Sequence, residues 1–404
     1  MAIKFHLRSD TEYIDQRYDF IVWAEETGVV KETLYRDSKG YPTIGAGFKV
    51  TSNWNDILTA FGFDITSGAS QTEKDYIKKI KAKFYTDSAM TKEKTFTTSQ
   101  IATLQTDLNA IMVQRAGSRT VFAFNNPAEI EATFNIIADE REKTLNNWLA
   151  KKGITIPNSN ERITLLSLTY NNVIGFKDIA QTKPKSTKLL AALQFGNRAE
   201  AWFEIRYNSN GDKLPGIAKR RYYEADYFDL YETGTLTEDE KILQAKTIFR
   251  MFTIHKDEIS SYDITYGAQV TAANSDYQVT WVKSTTDNLK DAKDYLIANY
   301  AEGKSIDNVI VGKGLDSYEY LDKGSYADKL VGTAQKDLIF GEKGSDIIDG
   351  STGNDVIYGG ESNDDLNGGE GEDLLIGSDR KDVLLGGEVD DLISGGKIKL
   401  RRAA

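Results

Sequence analysis

Seven consecutive blocks of nine residues, from Gly332 to Ser394, constrain the fold of this chain more than any other feature. The blocks are GTAQKDLIF, GEKGSDIID, GSTGNDVIY, GGESNDDLN, GGEGEDLLI, GSDRKDVLL and GGEVDDLIS. Each has glycine first, aspartate sixth and an aliphatic residue seventh, eighth or both. A repeat of fixed period indicates a solenoid, because each unit buries its apolar residues by stacking on its neighbours. We therefore predict a parallel β-roll or β-helix over residues 327–396.

The glycines and aspartates keep strict register through these blocks and predict cation binding. Glycine permits the backbone conformations of a tight turn, and an aspartate beside an inward aliphatic residue supplies oxygen atoms at one rim of a coil. Calcium suits such a rim, because it accepts six to eight oxygen ligands in flexible geometry. A disordered Gly/Asp-rich linker is the alternative, but disorder does not require an aliphatic residue at a fixed phase. The predicted calcium site residues are Asp337, Asp346, Asp355, Asp364, Asp373, Asp382 and Asp391, with Gly341, Gly344, Gly350, Gly353, Gly359, Gly368 and Gly371.

These blocks resemble the RTX nonapeptide repeat, a calcium-binding parallel β-helix. The resemblance implies that extracellular calcium drives folding of the tail, and that a type I secretion apparatus exports the protein without an N-terminal signal peptide. Some blocks depart from the full pattern, since the second glycine occurs only at Gly360, Gly369, Gly387 and Gly396. The first and sixth blocks have neither extra glycine, so we expect calcium binding least there.

Charge and composition exclude several other kinds of site. The formal net charge is -11, and residues 332–396 alone contain sixteen acidic against four basic residues, so the acidic excess lies in the tail. We therefore expect a cationic partner and no nucleic acid. Cysteine is absent, which excludes disulfides and thiolate zinc sites. The presence of two histidines argues against a histidine metal cluster or a serine triad. No apolar run is long enough to predict a membrane span.

The segment DTEYIDQRYDFIVWAEETG, residues 10–28, predicts a helix that leads into a β-hairpin. Its apolar residues recur at helical spacing and project next to Glu25. A carboxyl group in a partly apolar setting is suited to general acid catalysis. The following ETLYRD, GY and TIGAGF predict strand, turn and strand, with Gly40 at the reversal. This hairpin would place Asp37 and Thr43 on facing strands near the end of the helix.

The stretch YRDSKGYPTIGAG, residues 35–47, resembles the signature of phage-type lysozymes and endolysins. That resemblance implies that Asp37 is a catalytic aspartate and that Thr43 helps to hold the attacking water. It also implies a catalytic glutamate at the end of the preceding helix. Glu25 and Glu26 are both candidates, since helix phase favours Glu25 and proximity to the helix-ending glycine favours Glu26.

Two later stretches extend the resemblance. ITLLSLTYNNVIGF, residues 163–176, is similar to the central buried helix of that family and supplies Tyr170 and Asn171. GIAKRRYYEADYF, residues 216–228, is similar to its late helix with an arginine pair followed by a glutamate. The resemblance implies that one arginine faces the catalytic glutamate. The predicted substrate and supporting residues are Tyr35, Tyr170, Asn171, Arg220 and Arg221.

We predict a multidomain chain with an α+β, mainly helical, lysozyme-like region over residues 1–265 and the β-roll over residues 327–396. Between them, residues 266–326 form an intermediate region with a strand at YQVTWVKS and a helix at NLKDAKDYLIANYA, and a short basic tail occupies 397–404. The predicted function is a secreted, calcium-folded muramidase that cleaves peptidoglycan by two-carboxylate chemistry and needs no cofactor for catalysis. The alternatives are a non-catalytic wall-binding or adhesion protein and a hydrolase of another N-acetylhexosamine polymer such as chitin.

Overall fold

Helices dominate the chain up to residue 300, and strands dominate it after residue 308. The computed structural model describes residues 3–26, 28–37, 39–171, 187–209, 213–313 and 327–395. The helices are α1 Asp10–Glu26, α2 Trp54–Ala60, α3 Gln71–Ala82, α4 Thr98–Arg115, α5 Pro127–Ala150, α6 Asn160–Tyr170, α7 Thr187–Gln194, α8 Arg198–Phe203, α9 Pro215–Phe228, α10 Glu238–Tyr266, α11 Ala268–Asp276 and α12 Thr285–Tyr300. In this described part, no helix is both long and apolar enough to cross a bilayer.

A small antiparallel sheet follows α1, as the sequence predicts. Its strands are β1 Lys31–Arg36, β2 Pro42–Gly45 and β3 Phe48–Lys49, and β2 lies in the centre. Gly40 has a φ of +90°, a conformation that glycine adopts readily at a tight reversal. Ser9 caps α1, because its hydroxyl accepts the N–H of Glu12 and the Glu12 carboxylate accepts the N–H of Ser9. Both predicted elements, the helix and the hairpin, are confirmed.

The helical core is built around α6, which packs against α1, α5 and α9. From Ile163 to Thr169 every residue of α6 is buried, which confirms the described part of the predicted central buried helix, since residues 172–176 lie outside the described residues. Aromatic side chains supply much of the surrounding volume, and Trp148, Trp202 and Phe134 are among the largest fully buried side chains. The core therefore holds α1 and α9 at fixed positions on one shared helix.

Helices are the only regular secondary structure within residues 266–300. The helix predicted at NLKDAKDYLIANYA is confirmed as α12, but the strand predicted at YQVTWVKS is wrong, since residues 277–284 form turns and irregular chain. The alternation of aromatic and β-branched residues there has another cause. Tyr277 and Trp281 pack on Tyr223 of α9, with ring centroids 4.5 and 4.9 Å apart. The segment is thus fixed by side-chain packing and not by strand pairing.

The C-terminal coils form a parallel β-solenoid. Its strands are β4 Asn308–Val311, β5 Lys329–Val331, β6 Asp337–Lys343, β7 Ile347–Asp349, β8 Val356–Glu361, β9 Asp365–Glu370, β10 Leu374–Ser378, β11 Val383–Glu388 and β12 Leu392–Ser394. One sheet has the order β12-β10-β8-β6-β4 and the other has the order β11-β9-β7-β5. From β5 to β12, paired residues are eighteen positions apart, as in Leu338 opposite Val356. The predicted fold class is confirmed, and β4 joins the sheet ahead of residue 327.

One face of the solenoid packs on the helices. Along β6, Ile339 points into the solenoid core with Ile348 and Ile357, whereas Leu338 and Phe340 belong to the core shared with the helices. Both faces of β6 are therefore buried, as in other sheets covered on two sides. Tyr300 at the end of α12 packs edge-on against Phe340 at 5.1 Å.

Candidate active site and calcium sites

Glu25 in the last turn of α1 forms an ion pair with Arg220 of α9. The distance from Arg220 Nη1 to Glu25 Oε1 is 2.5 Å. The Glu25 side chain is 22% exposed and that of Arg220 is 5% exposed, so the carboxylate lies at the edge of the core with access to solvent. The sequence left Glu25 and Glu26 open; the structure places Glu25 against one of the two predicted arginines. The side chain of Glu26 lies outside the described residues.

Arg220 belongs to a buried network with Arg221, Glu224 and Ser167. Its Nε lies 2.9 Å from Glu224 Oε1, and its Nη2 donates to Ser167 Oγ at 2.8 Å. Arg221 pairs with the other oxygen of Glu224, and the Ser167 hydroxyl donates to Glu224 Oε1. Burial alone would raise the pKa of Glu224, but the charges of Arg221 and Arg220 hold it below its usual range. Arg221, which we predicted as a substrate or supporting residue, pairs with Glu224 and also donates its Nε to the carbonyl of Ser209 at 3.3 Å.

Asp37 lies at the end of β1, where its Oδ1 accepts the N–H groups of Lys39 and Tyr41 at 2.9 and 2.7 Å. These bonds stabilise the turn, a common role for aspartate ahead of a glycine reversal. Thr43 lies opposite Tyr35 in the hairpin, is 3% exposed, and donates its hydroxyl to the carbonyl of Tyr41 at 3.2 Å. The hairpin therefore places Thr43 opposite Tyr35 and Asp37 in the adjoining turn, and among the described residues none donates to Oδ2 of Asp37.

Tyr170 and Asn171 lie at the end of α6. The ring of Tyr170 stacks on Phe134 at 5.8 Å, and the Asn171 amide donates to the carbonyl of Ser167 at 3.0 Å. These contacts give Tyr170 a packing role and Asn171 a role in ending the helix. Asn171 and Arg220 thus meet at the same residue, Ser167, through its carbonyl and its hydroxyl.

An aromatic cluster that the sequence did not predict lies beside this network. Tyr223 of α9 stacks between Phe20 and Trp281, at 4.5 and 4.9 Å. Tyr277 adjoins it and is close enough to Arg220 and Glu25 for their charges to act on its hydroxyl, and burial raises the pKa of Tyr277. The segment that carries Tyr277 and Trp281 is distant in sequence, so no local pattern indicated its position.

In the solenoid, the aspartates form a ladder along the coils. The N–H of Asp346 donates to Oδ1 of Asp364 at 2.9 Å, and the N–H of Asp355 donates to Oδ1 of Asp373 at 2.8 Å. Asp337, Asp364 and Asp373 donate in the same way to Asp355, Asp382 and Asp391. The second oxygen is a different case. Oδ2 is buried without a hydrogen-bond partner in Asp346, Asp355, Asp364, Asp373 and Asp382.

The first glycine of each block lies beside these unpartnered oxygens. A methyl group added at Gly350 would clash with Oδ2 of Asp355 and with the carbonyl oxygen of Gly368 in the next coil. Gly341, Gly359 and Gly368 have the same two kinds of neighbour. The predicted turn glycines Gly344, Gly353 and Gly371 have φ angles of 136°, 133° and 133°, which glycine alone adopts freely. The space beside Gly341, Gly350, Gly359 and Gly368 is therefore lined by one carboxylate oxygen and one carbonyl oxygen.

The RTX calcium-binding nonapeptide repeat family matches residues 324–355, 343–375 and 376–397 of the chain. The C-terminal coils are RTX repeats. No curated protein and no solved structure matches the chain. RTX repeats bind calcium and are typical of proteins secreted by type I systems without a signal peptide. The matched residues all follow residue 323, so this finding concerns the solenoid and not the helical region.

The RTX coils fit calcium by the chemistry of their oxygen atoms. Burial first, and the neighbouring carboxylates of the ladder second, raise the pKa of Asp346 and Asp355 to about 7 and that of Asp364 to about 6. A divalent cation would remove this cost by pairing with the buried charges. Within the described residues no three acidic or histidine side chains converge on one point, so carbonyl oxygens must complete each ligand set. Calcium accepts such mixed sets.

The sequence missed one member of the ladder, Asp328. Its N–H donates to Oδ1 of Asp346 at 2.7 Å, and its Oδ2 accepts the N–H of Lys313 at 2.6 Å. Asp328 lies nine residues before Asp337 and so keeps the register, but its block begins with Lys323 where the others begin with glycine. The register alone could have identified it.

Proposed function

We propose that this chain is a secreted muramidase that hydrolyses the bond between N-acetylmuramic acid and N-acetylglucosamine in peptidoglycan, and whose RTX tail folds with calcium. The resemblance of residues 35–47 to phage-type lysozymes supports the activity. One contact carries the proposal furthest. The resemblance implies an arginine that faces the catalytic glutamate, and Arg220 lies 2.5 Å from Glu25.

Glu25 is the general acid in this proposal, and Asp37 is the base. Glu25 would protonate the leaving glycosidic oxygen, while Asp37 and Thr43 would hold a water on the opposite face of the sugar. Since Oδ1 of Asp37 accepts two N–H groups in the turn, Oδ2 is the oxygen that would take the proton. The Thr43 hydroxyl donates to a carbonyl, so its oxygen would accept from the water. Arg220 would position Glu25.

The test is release of reducing ends from purified peptidoglycan, in millimolar calcium. We expect Glu25→Gln and Asp37→Asn each to lower the rate at least ~100-fold, because general acid and base groups contribute at least that much. Asn at position 37 keeps an oxygen for the turn bonds and removes only the charge. Matched controls are Asp64→Asn, which removes the charge of another turn aspartate, and Glu73→Gln, whose partner is Arg115. No cleavage by the unmutated protein would exclude a muramidase.

A second candidate is a non-catalytic wall-binding or adhesion protein, and the hairpin supplies the observation that favours it. Asp37 and Thr43 are both already hydrogen-bonded within the turn, as they would be in a purely structural hairpin. Sedimentation with insoluble peptidoglycan, without release of reducing ends, would support this candidate. Chitin offered beside peptidoglycan, with identification of the released ends, distinguishes a hydrolase of another N-acetylhexosamine polymer.

A further inference from the structure

Asp337 differs from the later aspartates of the ladder, because protein donors satisfy both of its carboxylate oxygens. Its Oδ2 accepts the N–H of Thr333 at 2.5 Å and the Thr333 hydroxyl at 3.0 Å. Its Oδ1 accepts the amide of Asn308 at 2.9 Å. The corresponding Oδ2 of Asp346 and of Asp355 is buried without a partner. In the first block, protein groups thus donate to the carboxylate oxygen that has no partner in the later blocks.

The backbone explains the difference. In the second to seventh blocks, the residues at the second and fourth positions all have positive φ; they are Glu342, Gly344, Ser351, Gly353, Gly360, Ser362, Gly369, Gly371, Ser378, Arg380, Gly387 and Val389. In the first block these positions are Thr333 and Gln335, and neither has positive φ. Thr333 is β-branched and disfavours that region, although Val389 adopts it in the seventh block. The first turn takes another course, in which the Thr333 N–H donates to Asp337.

The later turns carry a conformational cost that the first turn avoids. Six of their positive-φ positions are not glycine, and their φ angles lie between 76° and 96°. Such strain persists only where the surroundings compensate for it. This strain and the unpartnered Oδ2 atoms both destabilise the later coils in the absence of a cation. The first coil has neither feature.

The first coil is also anchored to the helices. Arg250 of α10 donates to the carbonyl of Gly312 at 3.1 Å and contacts Glu342 at 3.2 Å, and Lys246 pairs with Glu342 at 2.6 Å. The N–H of Val311 donates to the Thr253 hydroxyl at 3.3 Å. These bonds fix both β4 and β6 to α10.

We propose that β4, the Thr333–Asp337 turn and β6 form a calcium-free cap that folds with the helices. Calcium binds only in the coils from Asp346 onward, which add to this cap from its exposed edge. Assembly of the solenoid then starts at its helical end. Each later coil pairs with the coil that precedes it. This inference rests on the RTX repeats and not on the muramidase proposal, so failure of either leaves the other intact.

Calorimetric titration of the full chain with calcium tests the boundary through two matched variants. Asp337 and Asp355 are both 0% exposed and occupy the same block position. We expect Asp337→Asn to bind as many calcium ions as the unmutated chain, and Asp355→Asn to bind fewer. Tryptophan emission confirms that each variant keeps the helical fold. Loss of calcium ions in Asp337→Asn would overturn the proposal.

A gain of binding provides the second arm, because misfolding cannot produce it. The double variant Thr333→Gly, Gln335→Gly gives the first block both glycines of the full pattern and removes the Thr333 hydroxyl. We expect it to bind more calcium than the unmutated chain in the same titration. An unchanged number of bound ions would show that Thr333 and Gln335 do not exclude calcium from the first block, which contradicts the proposal.

Discussion

The helical region and the solenoid both bury carboxylates, but they stabilise them by different means. In the helices, Glu224 contacts Arg220 and Arg221, and Glu161 accepts from Arg198 and His6 at 2.7 Å each. In the solenoid, five aspartates each bury an oxygen atom without a partner. The chain therefore provides the cations for the first region, whereas in the second region bound calcium would supply them. We expect the first region to fold without calcium and the second to fold only with it.

The pKa directions show the same contrast. Despite its burial, Glu161 has a lowered pKa, because His6 and Arg198 favour its charged form. In the ladder, burial and neighbouring aspartates raise the pKa of Asp346 and Asp355 to about 7. The tail also holds the acidic excess of the sequence, so repulsion among its carboxylates opposes the calcium-free coil.

Removal of the Glu224 charge should have the largest effect on the helical side of this comparison. Glu224→Gln leaves Arg221 buried without its ion-pair partner, and the loss of one member of a buried pair costs about 3–5 kcal/mol. Urea unfolding followed by tryptophan emission measures this cost, because all five tryptophans precede residue 282. We expect the same loss with calcium and with EDTA. Glu140→Gln, at a pair with Lys143 in which both side chains are about two-thirds exposed, should cost less than ~1 kcal/mol.

His6 should give a smaller effect that depends on pH. Hydrogen bonds to Asp229 and Glu161 raise the pKa of His6 from 6.5 to about 9. A group with a raised folded-state pKa contributes all of its stability below the unfolded pKa and loses it as pH rises through the folded pKa. We therefore expect His6→Gln to lower the free energy of unfolding by about 1–2 kcal/mol at pH 6. That difference should disappear above pH 10; a constant difference would contradict the assigned pKa.

Local sequence patterns predicted much of the fold and some of the site. The nine-residue register predicted the solenoid, because the periodic glycines, aspartates and aliphatic residues act within each coil. The helix before Gly28 and the hairpin around Gly40 were also predicted, because caps and turns depend on neighbouring residues. The placement of Asp37 in the turn that leads to Thr43 followed from that hairpin.

Contacts between residues that are distant in the sequence could not be predicted from local patterns. The contact between Glu25 and Arg220 depends on α9, which packs on α6. The segment YQVTWVKS alternates like a strand, yet its aromatic residues pack on α9. In the first block, the carboxylate of Asp337 accepts hydrogen bonds from Asn308 of β4 as well as from Thr333. Each case needs the position of a second element that the local pattern does not contain.

Hydrogen exchange of the full chain, resolved by segment in calcium and in EDTA, tests the central contrast most directly. We expect α6 and α9 to keep the same protection in both conditions, because their buried charges are paired within the chain. Strands β8 to β11 should be protected in calcium and should exchange rapidly in EDTA. Equal protection of β8 to β11 in both conditions would contradict the account, and so would loss of protection in α6 on removal of calcium.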